Sequence, residues 1–159
     1  MGRIILVTGG ARSGKSTFAE ELYSKERDVV YIATARISDE EMRDRVSLHR
    51  AQRPEEWMTY EGNYDLKDAV GTAKNYLLDC ITVLTSNIMF DLTGELDAIS
   101  LKKQREVEDR VVSEIYELAE AVKKIEGNLV MVTNEVGYSI VPENNIARIF
   151  RERLNNLLH

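Results

Sequence analysis

The sequence predicts an α/β fold, a mostly parallel sheet with helices on both faces, and three observations carry that prediction. Short apolar runs rich in β-branched residues alternate with stretches of helical periodicity. Each apolar run ends in glycine or polar residues. Strands interleaved with helices in this way pair in parallel through right-handed crossovers, and ligands of such sheets bind at the carboxyl ends of the strands.

The 159 residues fit a single domain spanning 1–159, which buries roughly two-thirds of its unfolded surface. A hydrophobic fraction of 43% beside 30% charged residues excludes wholesale disorder, a collagen-like fibre and a membrane bundle. The formal charge of -6 and a pI near 5.1 argue against nucleic acid as a partner, because that needs a broad basic face. Cys80 is the lone cysteine and cannot form an intrachain disulfide. The apolar stretch Ile4 to Val7 is too short for a signal peptide, and no apolar run reaches the ~18 residues of a membrane span. A cytoplasmic protein without membrane insertion is expected.

Taken in order, Arg3 to Thr8 is a β-branched apolar run closed by two glycines, which predicts a buried, central strand. From Ser16 the chain turns helical, with Phe18, Ala19, Leu22 and Tyr23 on one face. Val29 to Thr34 predicts a second strand. Ser38-Asp39-Glu40-Glu41 then offers a capping box for a helix running toward residue 52 and ended by Pro54. Tyr76 to Asp79 and Leu129 to Thr133 predict two further strands, the latter followed by the turn-like Asn134-Glu135-Val136-Gly137. Between them Val107, Val111, Ile115, Leu118, Val122 and Ile125 recur at helical spacing, predicting one amphipathic helix over about 100–126 with its charged residues in solvent.

Gly9-Gly10-Ala11-Arg12-Ser13-Gly14-Lys15-Ser16 matches GxxxxGK[ST] and lies between a predicted strand and the first turn of a helix, the context that a phosphate-binding loop requires. Its glycines let successive N–H groups approach phosphate oxygens, and the helix N-terminus adds its positive dipole end. Lys15 can reach the β- and γ-phosphates, and the Ser16 hydroxyl can ligate Mg²⁺. Together these features predict a P-loop NTPase-like domain. Asp79 ends an apolar strand, where the Mg²⁺-side carboxylate of such enzymes lies; a strand-end or helix-capping aspartate is the other reading.

Two histidines exist, and His159 is the last residue. His49 shares a helix face with Met42 and Val46, has Arg50 adjacent, and has Arg45 and Arg53 four residues to either side. Neighbouring positive charge disfavours imidazolium, which leaves a neutral ring able to act as a nucleophile while the arginines hold a polyphosphate. The same pattern also fits a partly buried histidine satisfied by Asp44 or Glu41 with solvated arginines.

The run Ile5 to Ser16, the strand Tyr31-Ile32-Ala33-Thr34, the pattern His49-Arg50-x-x-Arg53-Pro54-x-x-Trp57, Asp79-Cys80-Ile81-Thr82, and Val132 to Gly137 with Ile140 to Asn144 together resemble the bifunctional adenosylcobinamide kinase/adenosylcobinamide-phosphate guanylyltransferases of cobalamin biosynthesis. The resemblance covers residues 3 to about 150 and implies two reactions. The first is phosphoryl transfer from ATP or GTP to the aminopropanol hydroxyl of adenosylcobinamide. The second is GMP transfer from GTP to the adenosylcobinamide phosphate, giving adenosylcobinamide-GDP, with His49 as the nucleophile that carries GMP. It assigns guanine-nucleotide contacts to Gly9, Gly10, Ala11, Arg12, Ser13, Gly14, Lys15 and Ser16, to Ala33, Thr34 and Ala35, to Arg50, Ala51, Gln52 and Arg53, and to Glu61 and Asp79. Asn134 and Glu135 fit either corrinoid or nucleotide contacts or a capping role. The implied cofactors are GTP, ATP and Mg²⁺, and the implied assembly is a homotrimer.

Three departures accompany the resemblance. Leu48 stands where some members have a second histidine, and Asp79 where glutamate is common. Members usually continue into a final strand and a short basic tail, whereas this sequence stops at Leu157-Leu158-His159, so a missing final strand and an uncovered sheet edge are expected. Two rival readings share the phosphate loop: a simple small-molecule kinase without guanylyl transfer, in which His49 is dispensable, and a nucleotide-gated switch, against which the lack of an NKxD motif counts.

Overall fold

A computed structural model describes residues 2–9, 14–36, 40, 43–44, 47–48, 51, 53–94 and 100–134, with the backbone alone described at Ser16 and Asn134. The elements run β1 (Ile4–Gly9), α1 (Lys15–Leu22), β2 (Val29–Ala33), β3 (Met58–Glu61), a short 3-10 turn (Leu66–Ala69), β4 (Asn75–Asp79), α2 (Ile81–Thr93), α3 (Leu101–Lys124) and β5 (Asn128–Asn134). The strands among the described residues form one five-stranded, fully parallel sheet in the order β1-β5-β4-β2-β3.

Because side chains alternate across a strand, the apolar runs feed two cores at once. Val30, Ile32, Tyr76, Leu78, Leu129 and Met131 pack against α2 and α3 on one face. Val29, Tyr31, Leu77, Val130 and Val132 pack with Ala19, Tyr23 and Trp57 on the other. The long helix is α3, capped by the Ser100 hydroxyl accepting the Lys103 N–H, and its stripe of Val107, Val111, Ile115, Leu118 and Val122 is buried as its spacing predicts.

Several expectations are corrected here. The first strand is expected to be central, yet among the described residues β1 pairs with β5 alone and lies at a sheet edge. On α1 the predicted face divides. Ala19 and Tyr23 are buried whereas Phe18 and Leu22 are exposed, because one residue of offset turns a side chain by about 100° around a helix. The charged residues of α3 are not all in solvent. Glu114 is buried, with Oε2 accepting from Arg110 at 2.9 Å and Oε1 from the Leu66 N–H at 3.3 Å. Of the helix predicted from Ser38, the residues Glu40, Arg43, Asp44, Ser47, Leu48 and Ala51 are described and helical; the others lie outside the described residues.

One strand and one α-helix carried no expectation. β3 is an edge strand whose Met58, Thr59 and Glu61 are exposed, so it lacks the apolar run that marks the other four. α2 has the signal of a helix in Ile81, Leu84, Thr85, Ile88 and Met89, all buried at three- and four-residue spacing, and it ends at Gly94 with φ 71.

Candidate active site

The carboxyl ends of the strands form one rim. The register pairs Gly9 with Asn134, Asp79 with Val132, and Ala33 with both Asp79 and Glu61. Gly9, Ala33, Glu61 and Asp79, separated in sequence, thus lie along the edge where ligands of parallel sheets bind. Gly14 precedes α1 on the same side with φ 79, a left-handed backbone that glycine adopts without strain. The Phe18 N–H returns to the Gly14 carbonyl at 2.9 Å and closes the first turn of α1, so the N–H groups before it have no i−4 carbonyl within the helix. That geometry, with Lys15 in the first turn, suits an anion. Gly10, Ala11, Arg12 and Ser13 lie outside the described residues, as do His49, Arg50, Gln52, Glu135 and His159.

Asp79 does not cap the helix that follows it. Cys80 does, its Sγ accepting the Val83 N–H at 3.4 Å. The Asp79 carboxylate instead accepts the Tyr31 hydroxyl at 2.5 Å on Oδ2. Burial is the main reason that the Tyr31 phenol is held well above its ordinary range, and the Asp79 charge adds to it, so the proton stays on Tyr31. Burial likewise pushes the Cys80 thiol up to about 11, with the Val83 N–H and the Lys15 charge pulling the other way. Tyr31 and Cys80 therefore both keep their protons at neutral pH.

Thr34, assigned to nucleotide contact by resemblance, is buried, and its hydroxyl is engaged with backbone. It accepts the Cys80 N–H at 2.9 Å and lies 2.9 Å from the Cys80 carbonyl and 3.2 Å from that of Asp79, while the Thr34 N–H donates to the Asp79 carbonyl. The ends of β2 and β4 are thereby locked together. Asn87 on α2 extends the lock, its Nδ2 donating to the Thr34 carbonyl at 2.9 Å and to Asn63 Oδ1 at 3.1 Å. Beyond Ala35, Arg36 makes a two-pronged pair with Asp91 at 2.8 and 2.7 Å, and Tyr64 donates to the same carboxylate at 2.8 Å. These anchors went unseen because Asn63, Asn87 and Asp91 lie on α2 and the connection before the 3-10 turn, with no motif to single them out.

Of the three arginines expected beside His49, only Arg53 is described. Its side chain is 6% exposed, its Cζ sits 3.7 Å from the centroid of the Tyr31 ring, and its guanidinium pairs with Glu20 of α1 at 3.9 Å. Arg53, Pro54 and Trp57 line two adjoining clefts of about 340 and 650 Å³. Ala51 and Glu61 are exposed, and Ala33 and Ala35 half-exposed. No helix among the described residues is long and apolar enough to cross a membrane.

The chain is similar to proteins of known family. Two proteins named bifunctional adenosylcobalamin biosynthesis protein CobU are similar: one from Escherichia coli (strain K12) at 42% identity, and one from Salmonella typhimurium at 43%, each alignment covering 94% of this chain and 84% of the relative. The protein CobP of the same description from Pseudomonas aeruginosa is 35% identical over 90% of this chain and 78% of its own. A KaiC-like protein from Pyrococcus horikoshii OT3 shares the fold, with a TM-score of 0.52 at 16% identity over 91% of this chain and 68% of that one. The family model for cobinamide kinase / cobinamide phosphate guanyltransferase matches residues 5–159, and the chain belongs to this family of transferases.

Proposed function

We propose that this chain, as one domain spanning 1–159 and as a cytoplasmic homotrimer, phosphorylates the aminopropanol hydroxyl of adenosylcobinamide with ATP or GTP and then transfers GMP from GTP to the new phosphate. The observation that carries this reading is the single rim of strand ends along which Gly9, Asp79, Ala33 and Glu61 lie, with Gly14 and Lys15 opening α1 after β1, in a chain of this family. Lys15 neutralises charge on the β- and γ-phosphates during phosphoryl transfer. In the second reaction a nitrogen of neutral His49 attacks the α-phosphorus of GTP, the bond to the bridging oxygen breaks, and pyrophosphate leaves. An oxygen of adenosylcobinamide phosphate then displaces His49, which regains its neutral ring. The covalent step divides the transfer into two displacements at the α-phosphorus, the first made by a neutral nucleophile and the second by the corrinoid phosphate after pyrophosphate has left.

Mg²⁺ accompanying the nucleotide fits the donors present, since the Asp79 carboxylate is held at the rim by Tyr31 and Ser16 lies in the first turn of α1. Those two residues would hold the ion, whose charge offsets that of the phosphates when bound.

Incubation with GTP labelled at the α-phosphate tests the reading. Acid-labile, alkali-stable label should remain on the denatured protein, and His49→Ala should abolish it. Lys15→Ala should slow phosphoryl transfer roughly a hundredfold or more. Phosphoryl transfer without α-label points to the small-molecule kinase. Nucleotide-dependent partner binding without corrinoid-dependent turnover points to the switch.

A further inference from the structure

Tyr31 touches two parts of the site with two parts of one side chain. Its hydroxyl donates to Asp79 Oδ2 at 2.5 Å, and its ring face lies under the Arg53 guanidinium at 3.7 Å. Arg53 reaches on to Glu20, on the helix that follows the phosphate loop. Four elements therefore meet around one buried phenol: β2, the end of β4, α1, and the segment leading into β3. That last segment is the one that carries His49, four residues before Arg53 in the sequence.

A guanidinium that is 6% exposed, stacked on an aromatic face and paired with a carboxylate is largely withdrawn from water, where a cation–π contact is at its strongest. The planar fork suits this double use, whereas an ammonium could not stack in the same way. Such an arrangement fixes the chain at residue 53 relative to both Asp79 and α1.

We propose that Tyr31 is a positioning residue with two separable duties: its hydroxyl orients the Asp79 carboxylate, and its ring holds Arg53 and thereby the end of the segment whose sequence carries His49. The inference rests on the guanylyl-transfer reading given above. It assigns Arg53 to anchoring the segment in place of contacting phosphate.

Two substitutions separate the duties. Tyr31→Phe deletes only the bond to Asp79, while Tyr31→Leu deletes that bond and the ring. Whatever the loss of the hydroxyl does to phosphoryl transfer, the Phe and Leu variants should share it and agree within about twofold. The single-turnover rate of His49 labelling at saturating GTP should be lower in Tyr31→Leu than in Tyr31→Phe by roughly ten- to thirtyfold, the size of a desolvated cation–π contact. Arg53→Gln, with Tyr31 intact, should reproduce that loss of labelling rate with GTP affinity within about threefold of wild type. It guards against a Leu variant that fails to fold.

Equal labelling rates in the Phe and Leu variants would overturn the proposal. So would a Leu variant that loses both activities in step with its melting temperature, or an Arg53→Gln whose defect is wholly in GTP affinity. A wild-type protein that takes no α-label refutes the functional reading itself. Wild-type labelling with an unaffected Tyr31→Leu refutes only the role of Tyr31.

Discussion

Replacing Thr34 by valine keeps the shape of a buried side chain and removes only its hydroxyl. Three backbone groups touch that hydroxyl, and their other partners decide the cost. The Asp79 carbonyl keeps the Thr34 N–H at 3.2 Å, and the Cys80 carbonyl keeps the Leu84 N–H at 3.1 Å in the first turn of α2. The Cys80 N–H, which donates to Thr34 Oγ1 at 2.9 Å, is the group left without its acceptor. Orphaning one buried N–H costs about 1–3 kcal/mol. With about 2 kcal/mol as the central value, a domain of this size should melt lower by about 4–8 °C. Thr34→Ser restores the acceptor and should recover most of that loss, the remainder being its missing methyl. Thermal and urea unfolding of the three proteins measure the effect. A valine variant as stable as wild type, or a serine variant no better than valine, would refute the assignment of Thr34 as the lock between β2 and β4.

The Arg36 hydrogen bonds hold the Asp91 carboxyl down from 3.8 to about 2, so the stability it adds is complete above pH ~4 and is lost as pH falls through about 2. In urea titrations across that window the gap between wild type and Asp91→Asn should therefore close, and added salt should shrink it at every pH because the pair is partly exposed. Glu114→Gln keeps an acceptor for the Leu66 N–H and should cost less than about 1 kcal/mol, whereas Glu114→Leu orphans that N–H and should cost about 2 kcal/mol. Equal stabilities for the two Glu114 variants would show that the buried bond to Leu66 contributes nothing.

Much of the fold was legible because its signals are local. A parallel sheet buried on both faces needs continuous apolar strands, so β1, β2, β4 and β5 announce themselves, as does the apolar stripe of α3. The start of α1 was legible for a like reason, since the left-handed backbone before it favours glycine, and Gly14 stands there with φ 79. β3 gave no such sign, because an edge strand with exposed Met58, Thr59 and Glu61 is stabilised by pairing with β2 and needs no apolar run of its own. The buried Glu114 was hidden as well, since its partner Leu66 is 48 residues away.

The candidate site divides along the same line. Chemistry that follows from neighbours in the chain, such as Lys15 after Gly14, is written in order. Chemistry that depends on strand register or on side chains meeting across elements is not. That Ala33 stands between Asp79 and Glu61, that Thr34 clasps the backbone at Cys80, and that Arg53 stacks on Tyr31 follow from which strands pair and how far each is shifted. These contacts come from the summed packing of the sheet and helices, a long-range property that no stretch of a few residues encodes.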